Sequence, residues 1–167
     1  NSVGALDVPT RGKIILDGND IAHLSESELA QIRGRKIGFI FQAFNLVPSL
    51  SAIENIMLPM TFQGVPRKER ISRGIKLLDA VGLKDKIRSL PNTLSGGQRQ
   101  RVAIARSLSN NPDVILADEP TGNLDTRTSN EILSLLRNLQ KNEGKTLIVV
   151  THDMNIAKQA DRIAYIS

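Results

Sequence analysis

There is no cysteine in these 167 residues, so a disulfide scaffold, a thiolate metal site and a cysteine nucleophile are all excluded. Tryptophan is absent too, and four Phe and one Tyr are the whole aromatic complement. So few rings offer little for stacking on bases, and the basic residues are scattered rather than clustered. The net charge of +5 therefore permits an acidic partner without making a nucleic-acid signature. No apolar run approaches the roughly 18–20 residues of a membrane-spanning helix. Asn1-Ser2-Val3 does not open a signal peptide, and no initiator Met precedes it. Internal repeats, low-complexity tracts and linkers are missing as well. What remains is 40% hydrophobic and 23% charged residues, enough for one buried core and too few for two ordinary domains. The expectation is a soluble intracellular domain that is a piece of a longer chain.

Three stretches are continuously apolar rather than alternating, which predicts buried parallel strands: Ile37–Phe41, Val114–Ala117 and Leu147–Val150. Asp161–Ile166 reads as a fourth strand. A helix is predicted over Thr128–Lys141 from Ile132, Leu135, Leu136 and Leu139 at i, i+3, i+4 and i+7, with Gly144 as its stop. Strand, helix, strand makes a βαβ unit. The middle of the chain differs. Ser51-Ala52-Ile53-Glu54 has the form of a capping box, Pro66 suits the first turn of a helix running to Val81 before Gly82, and Ser95-Gly96-Gly97-Gln98 opens a helix reaching about Leu108. The fold class is thus α/β, a parallel-sheet core over residues 1–49 and 110–167 with an inserted helical subdomain over 50–109.

Four features bear on chemistry. Val114–Ala117 leads into Asp118-Glu119, two carboxylates at the carboxyl edge of a parallel strand, where α/β proteins build ligand sites. In phosphoryl transfer one such carboxylate serves the metal and another positions the attacking water. The plain alternative is a strand that ends in a polar turn before Pro120. Gly96-Gly97 at a helix start lets backbone N–H groups approach an anion, with the helix dipole assisting; the alternative is a capped helix after a flexible turn. His152 follows the strand Leu147–Val150 and so emerges at the same edge as Glu119, although a single histidine is more often structural. Gln42 follows Ile37–Phe41 in the same way and means little alone.

In the order Gln42, Leu94–Gln98, Asp118/Glu119, Gly122–Asp125 and His152, the chain resembles the nucleotide-binding domain of ABC transporters over essentially its whole length. Leu94-Ser95-Gly96-Gly97-Gln98-Arg99-Gln100-Arg101-Val102-Ala103-Ile104-Ala105-Arg106 is similar to the family's signature motif and helix. Val114–Glu119 is similar to its Walker B strand, Gly122-Asn123-Leu124-Asp125 to its D-loop, Gln42 to its Q-loop and His152 to its switch histidine. Five motifs in one order are beyond coincidence. The resemblance implies P-loop NTPase architecture, ATP and Mg2+ as ligands, and ATP hydrolysis. It implies that Asp118 holds Mg2+, that Glu119 is the general base or water-orienting carboxylate, and that His152 contacts the γ-phosphate. Gln42 would join the metal site to the helical insert. Ser95, Gly96, Gly97 and Gln98 would reach ATP held by a second, head-to-tail copy, with Asp125 at that interface. Phe41-Gln42-Ala43-Phe44-Asn45-Leu46-Val47-Pro48 and Pro120-Thr121-Gly122-Asn123-Leu124-Asp125 carry a finer likeness to the lipoprotein-releasing and macrolide-exporter type. That type implies an integral-membrane permease of the four-helix kind as partner, a place at the cytoplasmic face of the membrane, and no nucleic-acid partner. Thr61–Pro66 is either a permease contact or a solvent-facing connection.

The family's phosphate loop, Gly-x-x-x-x-Gly-Lys-[Ser/Thr], does not occur in the sequence. Gly12-Lys13 is followed by Ile14. Gly144-Lys145-Thr146 has Leu139 where the first Gly belongs and lies between helix and strand, the wrong order. Asn1–Thr10 resembles the end of the helix that follows this loop in the family, so the chain is expected to be an interior piece truncated at both ends. Without the loop's N–H nest, lysine and hydroxyl, these 167 residues alone are expected to be inactive, since losing even one well-placed donor costs roughly 3–4 kcal/mol in a transition state. They are also expected to be poorly soluble, because a sheet without its P-loop strand exposes apolar faces and edges. Two other readings stand beside the transporter. A non-transport ABC ATPase of nucleic acid or the ribosome is opposed by the interval of only about 50 residues between Gln42 and Leu94, which has no sustained heptads. A non-catalytic dimerisation module is opposed by the presence of Glu119 and His152.

Overall fold

The computed structural model describes residues 12–16, 18–21 and 24–165. The expected helix end at Asn1–Thr10 lies outside them. A short antiparallel hairpin, β1 (Ile15–Leu16) and β2 (Asn19–Asp20), comes first. Then α1 (Glu26–Lys36) runs directly into β3 (Ile37–Ile40). The hairpin and α1 are additions to the elements expected from the sequence. Ser25 caps α1 through a reciprocal pair: its N–H donates to the Glu28 carboxylate at 2.8 Å, and the Glu28 N–H reaches its hydroxyl.

The helical segment follows as α2 (Ala52–Phe62), α3 (Arg67–Ala80), two single 3-10 turns at Lys84–Lys86 and Pro91–Thr93, and α4 (Gly96–Ser107). Glu54 accepts from the Ser51 N–H at 2.8 Å, as the capping pattern requires. Pro66 stands one residue earlier than expected, as the residue before α3. After α4 come β4 (Val114–Asp118), α5 (Thr126–Glu143), β5 (Thr146–Val150) and the single turn α6 (Met154–Ala157). Gly144 ends α5 at φ 63, a left-handed conformation that glycine adopts without a Cβ penalty.

The sheet is parallel in the order β3-β4-β5, with Ile37 opposite Val114 and Val114 opposite Thr146. Side chains alternate across it with a period of two. Ile40, Ile115 and Ala117 face a large core shared with Ile56, Leu78, Val102 and Ile104 of the helical segment and with Ile132 and Leu136 of α5. On the opposite face Ile37, Phe39 and Leu116 pack with Leu29 of α1 and Ile21. Among the described residues that second layer does not extend over β5.

Two strand expectations are corrected. β5 is not buried on both faces: Ile148 is 37% exposed and Val150 59%, while Leu147 and Val149 pack on the main core. Its apolar run therefore covers one side only. Asp161–Ile166 does not form the expected strand over its described part, residues 161–165. Strand propensity is realised only against a neighbouring edge, and among the described residues none pairs with this stretch. The preceding segment is instead tied to α5 by the Arg137 guanidinium, which donates to the Gln159 carbonyl at 2.8 Å.

Candidate functional site

β3, β4 and β5 end side by side, and the residues after them converge at one edge. Asp118, the last residue of β4, is exposed and stands opposite Val150. Glu119 follows at φ 44, a left-handed conformation that costs a non-glycine residue about 1 kcal/mol or more. It is held by its surroundings. Its N–H donates to the Val150 carbonyl at 2.9 Å, and its carbonyl accepts from Gly122 N–H at 3.1 Å. Its carboxylate accepts the His152 N–H at 2.8 Å and the Thr151 hydroxyl at 3.2 Å, and the His152 Nδ1 lies 2.6 Å from the same Oε1. The Glu119 side chain is 18% exposed and the His152 side chain 87%. With Nδ1 turned to the carboxylate, the imidazole carries its other nitrogen into the open.

Gln42 lies at the same edge, one residue beyond Phe41. Its carbonyl accepts from the Asn123 amide at 2.9 Å, and its side-chain amide comes so close to Gly122 that a Cβ there would sit 2.7 Å from Nε2. Phe44 and Asn45 then take left-handed conformations, φ 61 and 49. Arg106 of α4 donates to both their carbonyls, at 2.9 Å for Phe44, and Arg99 lies 5.2 Å from the Phe44 ring centroid. Burial pushes the Arg106 guanidinium below its usual value. Asn55, fully buried on α2, holds the next stretch: its Oδ1 accepts from Val47 N–H at 2.8 Å, and its amide donates to the carbonyls of Val47, Leu50 and Ser51.

At the start of α4, the Ser95 hydroxyl accepts from the Gln98 N–H at 3.3 Å and the Gln98 Oε1 accepts from the Ser95 N–H at 2.9 Å. Ser95 is exposed, and Gly96, Gly97 and Gln98 are half-buried. The glycines have an intramolecular reason. A Cβ on Gly97 would lie 2.5 Å from Thr128 Cγ2, and one on Gly96 would lie 3.3 Å from Leu124. Thr128 belongs to the first turn of α5, where Asp125 is the cap: its carboxylate accepts the Thr128 N–H at 3.0 Å and the hydroxyl at 2.6 Å. These bonds hold the Asp125 carboxyl below its ordinary range.

The structure thus forms two groups. Gln42, Asp118, Glu119 and His152 share the sheet edge, while Ser95–Gln98 and Asp125 share the junction of α4 and α5. Arg106 and Asn55 are additions that the sequence did not single out, because each acts on main-chain atoms that carry no sequence signal. No cluster of three or more His, Asp or Glu side chains suited to a metal occurs among the described residues. No helix among them is long and apolar enough to cross a membrane.

Comparison with known proteins identifies the family. The family described as "ABC transporter" matches residues 2–122. An uncharacterized ABC transporter ATP-binding protein of Thermotoga maritima is 54% identical over 164 residues, covering 98% of this chain and 70% of its own. The macrolide export ATP-binding/permease protein MacB of Rhodopirellula baltica is 52% identical over 98% of this chain, which amounts to 24% of that longer protein. Among solved structures, the dimeric ATP-binding cassette MJ0796 in a post-hydrolysis state bound to ADP and Pi superposes with a TM-score of 0.80 at 47% identity, covering 93% of this chain and 68% of that one. The order of motifs, the shared sheet edge and these relatives lead to one conclusion: the chain belongs to the ABC transporter family, as a domain of its ATP-binding, ATPase subunit.

Proposed function

We propose that this domain powers a membrane permease by hydrolysing ATP between two head-to-tail copies, with Glu119 as the carboxylate that orients and deprotonates the attacking water. The Glu119–His152 pair at the carboxyl edge of β4 and β5 carries this reading. Three donors from Thr151 and His152 hold the carboxylate in one orientation, which is what a general base needs before substrate arrives. His152 then presents its exposed ring nitrogen toward a γ-phosphate bound at the edge.

Mg2+ fits the donors here. Asp118 offers an exposed carboxylate and Gln42 an amide oxygen, and Mg2+ is ordinarily held by one or two such hard ligands while waters and substrate phosphates supply the rest. When bound it would neutralise charge on the phosphate oxygens. Asp118 would hold it, Gln42 would sense it, and the Asn123 and Arg106 contacts would carry that state toward the D-loop and the helical segment.

Ser95–Gln98, at the solvent-facing start of α4, would bind ATP of the partner copy, with Asp125 beside that interface. The dimeric cassettes among the structural relatives support this arrangement. A permease of the four-helix exporter type is the partner supported by the likeness to MacB, which would place the domain at the cytoplasmic face of a membrane. Within this scheme residues 50–109 serve as the helical subdomain that faces the permease.

The test is ATP turnover by the gene product that carries these residues, compared with Glu119→Gln. Loss of about 10²-fold or more in kcat is expected; turnover unaffected by Glu119→Gln would sink the proposal. These residues contain no phosphate loop, so the 167 residues alone are expected to show only background.

A further inference from the structure

Gln100 is wholly buried on α4, one turn beyond the signature glycines. Its Nε2 donates to the Pro120 carbonyl at 2.6 Å. Its Oε1 is buried with no hydrogen-bond partner among the described residues. A carbonyl can be served only by the N–H₂ end of the amide, so this orientation is the one chemistry allows. The uncompensated oxygen makes this amide a cost to the fold that an apolar side chain of the same length would not carry. What the amide provides instead is a fixed distance between α4 and one carbonyl.

That carbonyl is well placed to matter. Pro120 directly follows Glu119, whose backbone is left-handed, and it precedes the turn in which Gly122 N–H bonds the Glu119 carbonyl and Leu124 N–H bonds the Thr121 carbonyl. Pro120 and Thr121 are buried. The turn is thus tied to β5 on one side, through Glu119 N–H to Val150 at 2.9 Å, and to α4 on the other through Gln100. The same helix carries Ser95–Gln98 at its start, so the tie joins the segment proposed to meet the partner's ATP to the turn that holds this chain's own carboxylate.

We infer that Gln100 is a positioning residue for hydrolysis: it acts through the Pro120 carbonyl to hold Glu119 in its working orientation. The inference rests on the function proposed above. Because Gln100 is wholly buried and offers no atom to nucleotide at the exposed edge, it governs the rate of the chemical step and leaves nucleotide binding alone.

The test compares Gln100→Met, which keeps length and volume but cannot donate, with the unaltered protein, both made as the gene product that carries these residues. Three quantities are read: kcat, KM for ATP, and amide hydrogen exchange at Gly122 and Leu124. A fall in kcat of about tenfold or more with KM within twofold, together with faster exchange at those two amides while the α4 amides stay protected, is the expected result. Unchanged kcat in a folded variant, or unchanged exchange in the turn, overturns the inference, as does a rise in KM that accounts for the whole loss. If the unaltered protein does not hydrolyse ATP, the proposed function fails, and exchange alone decides whether Gln100 holds the turn. If Gln100→Met does not fold, Gln100→Glu is read instead. Its neutral acid can donate to the carbonyl and its carboxylate cannot, so its kcat relative to the unaltered protein should climb as pH falls. Parallel pH profiles overturn the inference.

Discussion

His152 reaches Glu119 twice, through its Nδ1 at 2.6 Å and through its own backbone N–H at 2.8 Å, both on Oε1. The backbone contact survives any substitution of the side chain that keeps the N–H, which only proline would remove. His152→Ala therefore leaves the carboxylate oriented and removes only the imidazole. In the gene product that carries these residues, kcat should fall by about 100-fold while the hydrogen exchange of the β5 amides stays as it was. A kcat within twofold of the original would remove His152 from the machinery.

Gly97 faces Thr128 with no room for a methyl group. Gly97→Ala puts a Cβ 2.5 Å from Thr128 Cγ2, so α4 and the start of α5 must part, at a cost of about 1–3 kcal/mol. Thr128→Ser deletes that methyl and keeps the hydroxyl bonded to Asp125. The double variant should recover most of the loss in a denaturation midpoint. Additive destabilisation would show that the glycine is not there for packing.

The Asp125 carboxyl is held below its ordinary value of 3.8, first by the Thr128 hydroxyl and then by the Thr128 N–H. A depressed folded-state value means that the ionised form is favoured in the fold. Its contribution is full above the ordinary value and is lost as pH falls through it toward the folded-state value. Thr128→Val removes the leading cause. The difference in thermal midpoint between this variant and the original should be constant above about pH 5 and shrink below about pH 3.5. A difference independent of pH would mean that the bond does not act through the charge.

Asn55 satisfies four main-chain contacts in the Val47–Ser51 stretch from a fully buried position. Asn55→Leu leaves the Val47 N–H and the carbonyls without these partners, which should lower stability by about 2–3 kcal/mol in a denaturant titration. A midpoint unchanged within error would mean that water replaces the amide at no cost.

Much of this architecture is legible along the chain. Capping boxes at Ser51 and Ser95, the stop at Gly144 and the apolar runs of β3 and β4 are local patterns, and each appears within a residue or so of where periodicity and capping put it. The capping pair at Ser25 and Glu28 was equally readable and marks the start of α1. The stretch beginning at Asp161 shows the limit of such reading, since strand propensity is a capacity to pair and nothing in the residues themselves supplies the edge.

Sequence by itself determined the order of the candidate groups, because Gln42, Ser95–Gln98, Asp118, Glu119, Asp125 and His152 lie in short motifs that resemble those of the family. Only the tertiary structure decided how those groups are tied together. The Glu119–His152 contact spans 33 residues, the Arg106–Phe44 contact 62 and the Gln100–Pro120 contact 20. Such contacts exist only once one common core, built from α2, α3, α4, the sheet and α5, has set the distances between elements. A hydrogen bond between a side chain and a remote carbonyl leaves no periodic mark on the sequence, and it forms only where packing brings the two together.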